Sequence, residues 1–129
     1  MGADKMTIDR SVGIVVFGHG SSVASANDAV RTVAESAAKM AGWPLYQTAF
    51  LECDPKLEAA VGKLVEAGAR EVLVLPYFLT LGIHLQRDLP KIVESLEREF
   101  GLPIRVTPPL DGHPDLGKML VDRATQASR

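Results

Sequence analysis

The chain alternates between two hydrophobic patterns. Short continuous runs of branched apolar residues indicate strands that are buried on both faces. Between these runs, apolar residues recur every three or four positions, which indicates helices with one buried side. The predicted strands cover residues 11–18, 44–51, 70–79 and 102–107. The predicted helices cover residues 24–41, residues 54–68, a segment between 83 and 100, and a last segment from about residue 113.

Prolines indicate where two of the helices begin. Asp54 and Pro55 suit the start of the second helix, because Asp is a capping residue and Pro fits the first helical position. Pro90 is expected in the first turns of the third helix, which places the start of that helix near Leu85.

The predicted order of elements is βαβαβαβα. Strands that are joined by helical crossovers form a parallel sheet with helices on both faces. We therefore expect an α/β fold, with a single three-layer domain over residues 1–129 and a four-stranded parallel sheet in the order 2-1-3-4. The polar residues 1–10 are expected to form a flexible N-terminus.

Composition and charge restrict the possible functions of the chain more than its possible folds. Hydrophobic residues make up 47% of the chain and the net charge is −2, so the chain lacks the basic field of a nucleic-acid-binding protein. No apolar run approaches the ~20 residues of a membrane helix, and residues 1–10 lack the apolar core of a signal peptide. The single cysteine, Cys53, excludes an internal disulfide and fits a cytoplasmic protein.

Polar side chains follow three of the predicted strands. His19 follows the first strand between two glycines, Glu52 follows the second strand, and His84 follows the third. Ligands of open parallel sheets bind at this carboxyl edge. Two neutral imidazoles and a carboxylate suit Zn, Fe, Co or Ni, and an imidazole near neutral pH can offer a lone pair or accept a proton. The sequence therefore predicts a metal-competent edge built from these three residues.

Each of these residues also has a simpler interpretation. His19 could bond to the backbone of its own turn, Glu52 could be a solvated loop residue, and His84 could sit at a helix start. Ser21 and Ser22 are expected to cap the first helix rather than to act as nucleophiles.

Two further polar residues near this edge are expected to be structural. Cys53 is interpreted as a buried structural thiol, because the side chains of neighbouring residues in an extended chain point to opposite sides. His113, which precedes Pro114, is interpreted as a helix-start residue.

Several segments resemble the class II chelatases of tetrapyrrole biosynthesis. The likeness is to the short CbiX type, the sirohydrochlorin cobaltochelatases, with the siroheme ferrochelatase SirB as a relative. The pairing of His-Gly-Ser after the first strand with Gly-x-His after the third is fairly specific, whereas either half alone is not. The segments are GIVVFGHGSSVASAND, TAFLECDP, LPYFLTLGIHLQRDLP and PLDGHPDL.

The resemblance implies an enzyme that inserts a divalent metal into sirohydrochlorin or a related tetrapyrrole without ATP, for cobalamin or siroheme biosynthesis. The metal is then a substrate (Co²⁺, or alternatively Fe²⁺ or Ni²⁺), and no organic cofactor is implied. The family's two metal-site histidines map onto His19 and His84, and its acidic residue maps onto Glu52. The family also implies a chelatase-like half-domain that pairs as a symmetric homodimer, with the apolar residues of 77–83 at the interface or against the macrocycle.

One departure from the family keeps alternatives open. Ser22 stands where family members commonly have an arginine, so a positive group that could steer substrate carboxylates is missing, and Arg31, Arg87 and Lys91 are candidate replacements. A non-catalytic carrier of metal or tetrapyrrole is one alternative. A phosphohydrolase with His19 as nucleophile is another, although histidine phosphatases place an arginine before that histidine, where this chain has a glycine.

Overall fold

A computed structural model describes residues 8–128 of the chain. The predicted flexible N-terminus lies outside these residues except for positions 8–10. Within that short part, Asp9 accepts hydrogen bonds from the hydroxyl and the backbone N–H of Ser11, each at 2.7 Å. These two bonds hold the pKa of Asp9 below its ordinary value, because they stabilise the charged carboxylate.

Strands and helices alternate along the described chain, and the predicted α/β fold and strand order are confirmed. All strand pairs are parallel, in the order β2-β1-β3-β4. The strands are β1 (Val12–Gly18), β2 (Tyr46–Phe50), β3 (Glu71–Pro76) and β4 (Ile104–Val106). The helices are α1 (Ala24–Ala41), α2 (Leu57–Glu66), α3 (Ile83–Phe100) and α4 (Asp115–Ala127).

The predicted start of α2 was wrong. The helix begins at Leu57, with Lys56 at its N-cap, and Asp54 and Pro55 precede it. The carbonyl of Pro55 accepts a hydrogen bond from the backbone N–H of Phe50 at 2.9 Å. This bond uses Pro55 to close the loop after β2, so the helix starts only after that loop is complete.

The third helix begins earlier than its proline suggested. The first residue of α3 is Ile83 rather than Leu85, so Pro90 lies inside the helix instead of in its first turns. Leu85 and Leu89 are both buried on the core side, whereas Pro90 is exposed. Packing on the buried side stabilises the helix enough to tolerate the missing N–H of the proline on the solvent side.

The two faces of the sheet are covered unequally. On one face, α2 and α3 pack together over Val72 and Val74 of β3, which are fully buried. On the other face, α1 packs against β1 and β2, whereas Leu73 and Leu75 of β3 remain only half-buried. No residue of α4 is buried. The sheet is therefore closed under α2 and α3 and partly open on the side of α1.

None of the helices within residues 8–128 has the length and apolar content that a membrane-spanning helix needs.

Candidate functional site

The ends of β1 and β2 lie side by side at the carboxyl edge of the sheet. Gly18 at the end of β1 is the register partner of Phe50 at the end of β2. The hydrogen-bond ladder continues beyond the strands, because the backbone N–H of Glu52 donates to the carbonyl of His19 at 2.9 Å. The backbone therefore fixes His19 and Glu52 as neighbours.

The side chains of His19 and Glu52 face each other in an exposed position. His19 Nε2 lies 3.7 Å from Glu52 Oε1, and more than half of each side chain is exposed (63% and 61%). This distance is too long for a hydrogen bond. It is close to the ~3.4 Å that separates two ligands on a tetrahedral metal with bonds of about 2.1 Å. The pair can therefore hold one divalent cation between its two atoms after a small adjustment.

A backbone contact fixes which nitrogen of His19 carries the proton. His19 Nδ1 lies 3.0 Å from the carbonyl oxygen of Gly20. A carbonyl only accepts hydrogen bonds, so Nδ1 is the donor and carries the hydrogen. In the neutral ring Nε2 then has a free lone pair, and Nε2 is the atom next to Glu52. A histidine that binds a metal commonly donates its other ring N–H to a backbone carbonyl in this way, which fixes the tautomer and the orientation of the ring.

Of the two glycines that flank His19, only Gly20 is required by its surroundings. Gly20 has a φ of +89°, and a Cβ at this position would lie 2.7 Å from the Sγ of Cys53 and 3.0 Å from the Cβ of Phe50. A Cβ on Gly18 would make only ordinary contacts, the shortest at 3.6 Å. The close approach at Gly20 packs the His19 loop against the end of β2.

The serines before α1 do not cap this helix as predicted. Val23 occupies the N-cap, and no side chain makes a cap hydrogen bond there. The Ser21 hydroxyl accepts a bond from the backbone N–H of Val23 at 3.0 Å, within the loop, and Ser22 is exposed. The side-chain amide of Asn27 pairs with both backbone groups of Ser21, each at 2.9 Å. Asn27, which the sequence analysis missed, therefore anchors the loop to α1.

Cys53 supports the same loop from the other side. Its thiol is half-buried rather than buried, packs against Gly20, and lies 3.5 Å from Nδ2 of Asn27. These contacts agree with a structural thiol.

His84 lies in the first turn of α3, which follows the carboxyl end of β3. Its ring is exposed, and Nδ1 lies 3.2 Å from Nη2 of Arg87, one turn further along the helix. Among residues 8–128, no three His, Cys, Asp or Glu side chains lie close enough together to form a metal site. The structure therefore brings His19 and Glu52 together, while the participation of His84 in the same site stays a prediction. The i,i+3 spacing on a helix is the signal that could have indicated Arg87 beforehand.

An apolar groove adjoins His19. The ring of Phe78 meets that of His19 edge to face, with centroids 6.5 Å apart. Phe78 also lines a cavity of about 770 Å³ between α1, the loop after β3 and the start of α4. His113 lies at this groove and accepts a hydrogen bond from the backbone N–H of Asp115 at 3.1 Å, as expected of a helix-start residue. The groove residues are Val33, Ala37, Met40, Tyr77, Phe78, Leu79, Leu110, His113, Asp115, Leu116 and Met119.

A comparison with known proteins shows which family the chain belongs to. The family model named CbiX matches residues 13–127. The chain belongs to the CbiX family. A CbiX protein of Marinobacter aquaeolei has a similar fold, with a TM-score of 0.79 and 30% identity over 90% of this chain and 96% of that protein. The family resemblance predicted from the sequence is thereby confirmed.

Two curated relatives of this CbiX family member are longer than the chain. The sirohydrochlorin cobaltochelatase of Methanopyrus kandleri is 36% identical over 90 residues, which cover 69% of this chain and 62% of the relative. The chloroplastic sirohydrochlorin ferrochelatase of Arabidopsis thaliana is 30% identical over 124 residues, which cover 95% of this chain and 55% of the relative. The chain therefore spans less than two thirds of the length of these proteins.

Proposed function

We propose that this CbiX family member inserts a divalent metal ion into sirohydrochlorin or a closely related tetrapyrrole. The observation that carries the proposal is the exposed pair of His19 Nε2 and Glu52 Oε1, 3.7 Å apart at the carboxyl edge of the sheet. The names of the relatives in Methanopyrus and Arabidopsis support the reaction class and make Co²⁺ and Fe²⁺ the first metals to test. The ligand chemistry accepts Ni²⁺ as well.

The His19–Glu52 pair suits a metal ion that must be transferred to the tetrapyrrole. Two protein ligands leave the remaining coordination positions of the metal to water and to the incoming pyrrole nitrogens. Insertion also requires two pyrrole N–H protons to leave the macrocycle. Glu52 can accept one proton as a general base, and His19 Nε2 regains its lone pair when the metal departs and can accept the second. The two side chains thus account for both protons without another group.

The apolar residues that follow β3 offer a surface for the face of the macrocycle. Phe78 links the ring of His19 to the apolar groove, and Leu79 is 64% exposed beside it. Flat aromatic ligands bind on surfaces of this kind, with a few polar groups at the margin. We place the tetrapyrrole on this surface, with its nitrogens toward His19 and Glu52.

We further propose that the protein works as a symmetric dimer, with the second copy covering the open side of the sheet. The support is the uneven coverage: α4 has no buried residue, and Met119, Leu120 and Val121 on it are 58%, 73% and 64% exposed. The half-buried Leu75 of β3 lies on the same side, in a cavity that Val33 and Ala37 of α1 also line. Exposed apolar surface of this extent is typical of an interface.

The dimer is tested by sedimentation of the wild type and of Leu120→Glu. We expect the wild type to sediment as a dimer and the variant to dissociate, because a carboxylate in an apolar interface loses its hydration. Glu94→Gln on the exposed part of α3 is the control and should leave the mass unchanged. A wild type that is monomeric at high concentration contradicts this part of the proposal.

Metal insertion is tested by incubating the protein with sirohydrochlorin and Co²⁺, Fe²⁺ or Ni²⁺ and following the absorption spectrum. We expect conversion well above the uncatalysed rate for at least one metal, and loss of this acceleration in His19→Ala. Binding of metal or tetrapyrrole without accelerated conversion would identify a carrier instead. Hydrolysis of an aryl phosphate that His19→Ala abolishes would identify a phosphohydrolase.

We propose the cytoplasm as the location, on the support of a single unpaired cysteine in the sequence.

A further inference from the structure

We propose that Arg87 is a positioning residue that keeps His84 from binding metal until the carboxylates of a tetrapyrrole draw Arg87 away. This inference rests on the proposed function, because it concerns the order in which the two substrates bind. Arg87 Nη2 lies 3.2 Å from His84 Nδ1, and Arg87 Nε donates to Oδ1 of Asp88 at 3.1 Å. His84 and Arg87 are exposed and the side chain of Asp88 is 48% exposed, so a ligand can reach all three.

The contact fixes the protonation of His84 in the opposite sense to that of His19. The guanidinium of Arg87 is always protonated and has no acceptor, so it must donate to Nδ1. Nδ1 therefore uses its lone pair in this bond, and in the neutral ring the hydrogen sits on Nε2. Neither nitrogen of His84 offers a free lone pair to a metal while Arg87 stays in place.

A carboxylate on the substrate is a stronger partner for Arg87 than an imidazole. Charge-assisted bonds between arginine and carboxylate are roughly twice as strong as neutral ones and are often bidentate. Asp88 accepts a hydrogen bond from Nε of Arg87, and this bond keeps the terminal nitrogens of the guanidinium beside His84. A tetrapyrrole carboxylate that pairs with those nitrogens releases Nδ1, and the ring can then carry its hydrogen on Nδ1 and offer Nε2 to the metal.

In this arrangement the metal and the tetrapyrrole bind cooperatively. His19 and Glu52 can take up metal alone, whereas His84 joins only after the tetrapyrrole has bound. By linkage, metal on His84 must also strengthen tetrapyrrole binding by the same factor. Arg87 is also a cation that can replace the arginine missing at Ser22.

The test is calorimetric binding of Co²⁺ alone, without tetrapyrrole, to the wild type, Arg87→Ala, His84→Ala and the double variant. We expect Arg87→Ala to bind Co²⁺ about two- to tenfold more tightly, which is the range that one hydrogen bond contributes. The gain should vanish in the His84→Ala background. Arg98→Ala, which removes an exposed charge elsewhere on α3, is the control and should change the affinity by less than about twofold.

A spectroscopic measurement reports on the same contact directly. The ¹⁵N signals of the neutral His84 ring should show a hydrogen-bonded Nδ1 in the wild type and lose that signature in Arg87→Ala. Arg87→Lys, which keeps the charge but not the planar fork, should lose the signature as well.

Three results overturn the inference: a wild-type His84 with its hydrogen on Nδ1, no gain of Co²⁺ affinity in Arg87→Ala, or a gain that persists when His84 is absent. The last result would mean that the charge of Arg87 acts on the His19–Glu52 pair. None of these measurements uses the insertion reaction. A wild type that binds Co²⁺ as described but inserts no metal contradicts the proposed function and leaves the Arg87 contact standing.

Discussion

The two histidines at the carboxyl edge differ in what holds their Nδ1 atoms. Nδ1 of His19 donates to the carbonyl of Gly20, which leaves the lone pair of Nε2 free beside Glu52. Nδ1 of His84 accepts from Arg87, which leaves no free lone pair on the ring. The same side chain is therefore prepared for a metal at one position and occupied at the other. The partner of Nδ1, more than the presence of an imidazole, decides whether a histidine is ready to bind a metal.

The two positions also differ in how firmly they are built. The His19 loop is fixed by the continued strand ladder, by Asn27 and by the close packing at Gly20. His84 lies on an exposed helical turn, and among residues 8–128 the side chain of Arg87 is the one hydrogen-bond partner of its ring. A side-chain partner can be displaced by a ligand, whereas a backbone carbonyl cannot. The fixed position suits holding a metal, and the displaceable one suits a response to the second substrate.

The largest effect is expected from removing His19, the histidine whose Nε2 lone pair is free to bind a metal. We expect His19→Ala to lower both Co²⁺ affinity without tetrapyrrole and the insertion rate by at least about 100-fold. Even the removal of a residue that only hydrogen-bonds to a metal ligand lowers metal affinity or activity about 10- to 100-fold. His84→Ala should also cripple insertion but should change Co²⁺ affinity without tetrapyrrole by less than about twofold. Isothermal titration and the absorbance assay measure the two quantities.

Both histidine variants should keep the wild-type circular dichroism spectrum, because both side chains are exposed. Equal losses of Co²⁺ affinity in the two variants would contradict the distinction drawn between the two rings. Near-wild-type turnover in either variant would contradict the proposed role of that residue.

A smaller effect is expected at Glu52. We expect Glu52→Gln to lower the turnover number about 10- to 100-fold. Removal of a general base usually lowers the rate about 100- to 10,000-fold, and we expect a smaller loss here because the side chain of Glu52 is exposed to water. Co²⁺ affinity should fall less than turnover. Steady-state kinetics and metal titration together provide the comparison. Glu94→Gln, an exposed carboxylate paired with Arg98 on α3, is the matched control. Equal losses in turnover and affinity would mean that Glu52 acts only as a metal ligand and would leave the proton acceptor to be found.

The packing around the two histidines is tested by replacing a nearby glycine with alanine, Gly20 next to His19 and Gly82 two residues before His84. Gly20→Ala should lower the free energy of unfolding by about 2–4 kcal/mol, because it combines a positive φ with an overlap on Cys53. Gly82→Ala should change it by less than about 0.5 kcal/mol, because nothing lies within 4 Å of the new Cβ and the φ is −68°. Urea unfolding measures both, and a Gly82→Ala loss as large as that of Gly20→Ala would contradict the difference in packing.

Much of the fold followed from local patterns. Runs such as residues 11–18 and stripes such as residues 24–41 mark buried strands and one-sided helices, and their alternation leaves few topologies. The starts of the helices were harder to predict from the sequence. Pro55 bonds to Phe50, and Ser21 bonds to Asn27 and Val23, and capping preferences do not take such bonds into account. Capping preferences describe a helix and its neighbouring residues, whereas these bonds were decided by the loops in which the residues lie.

The sequence by itself determined the order of strands and the edge at which His19, Glu52 and His84 were to be sought, because hydrophobic periodicity and the ends of parallel strands are properties of the chain. Only the tertiary structure decided that Glu52 faces His19 and that Gly20 must be a glycine. It also decided that Arg87 donates a hydrogen bond to the ring of His84 and that α4 has no buried residue. Those outcomes depend on distances of a few ångströms between residues far apart in sequence or on neighbouring turns. Local pattern restricts which residues can meet, and packing selects the contacts that form.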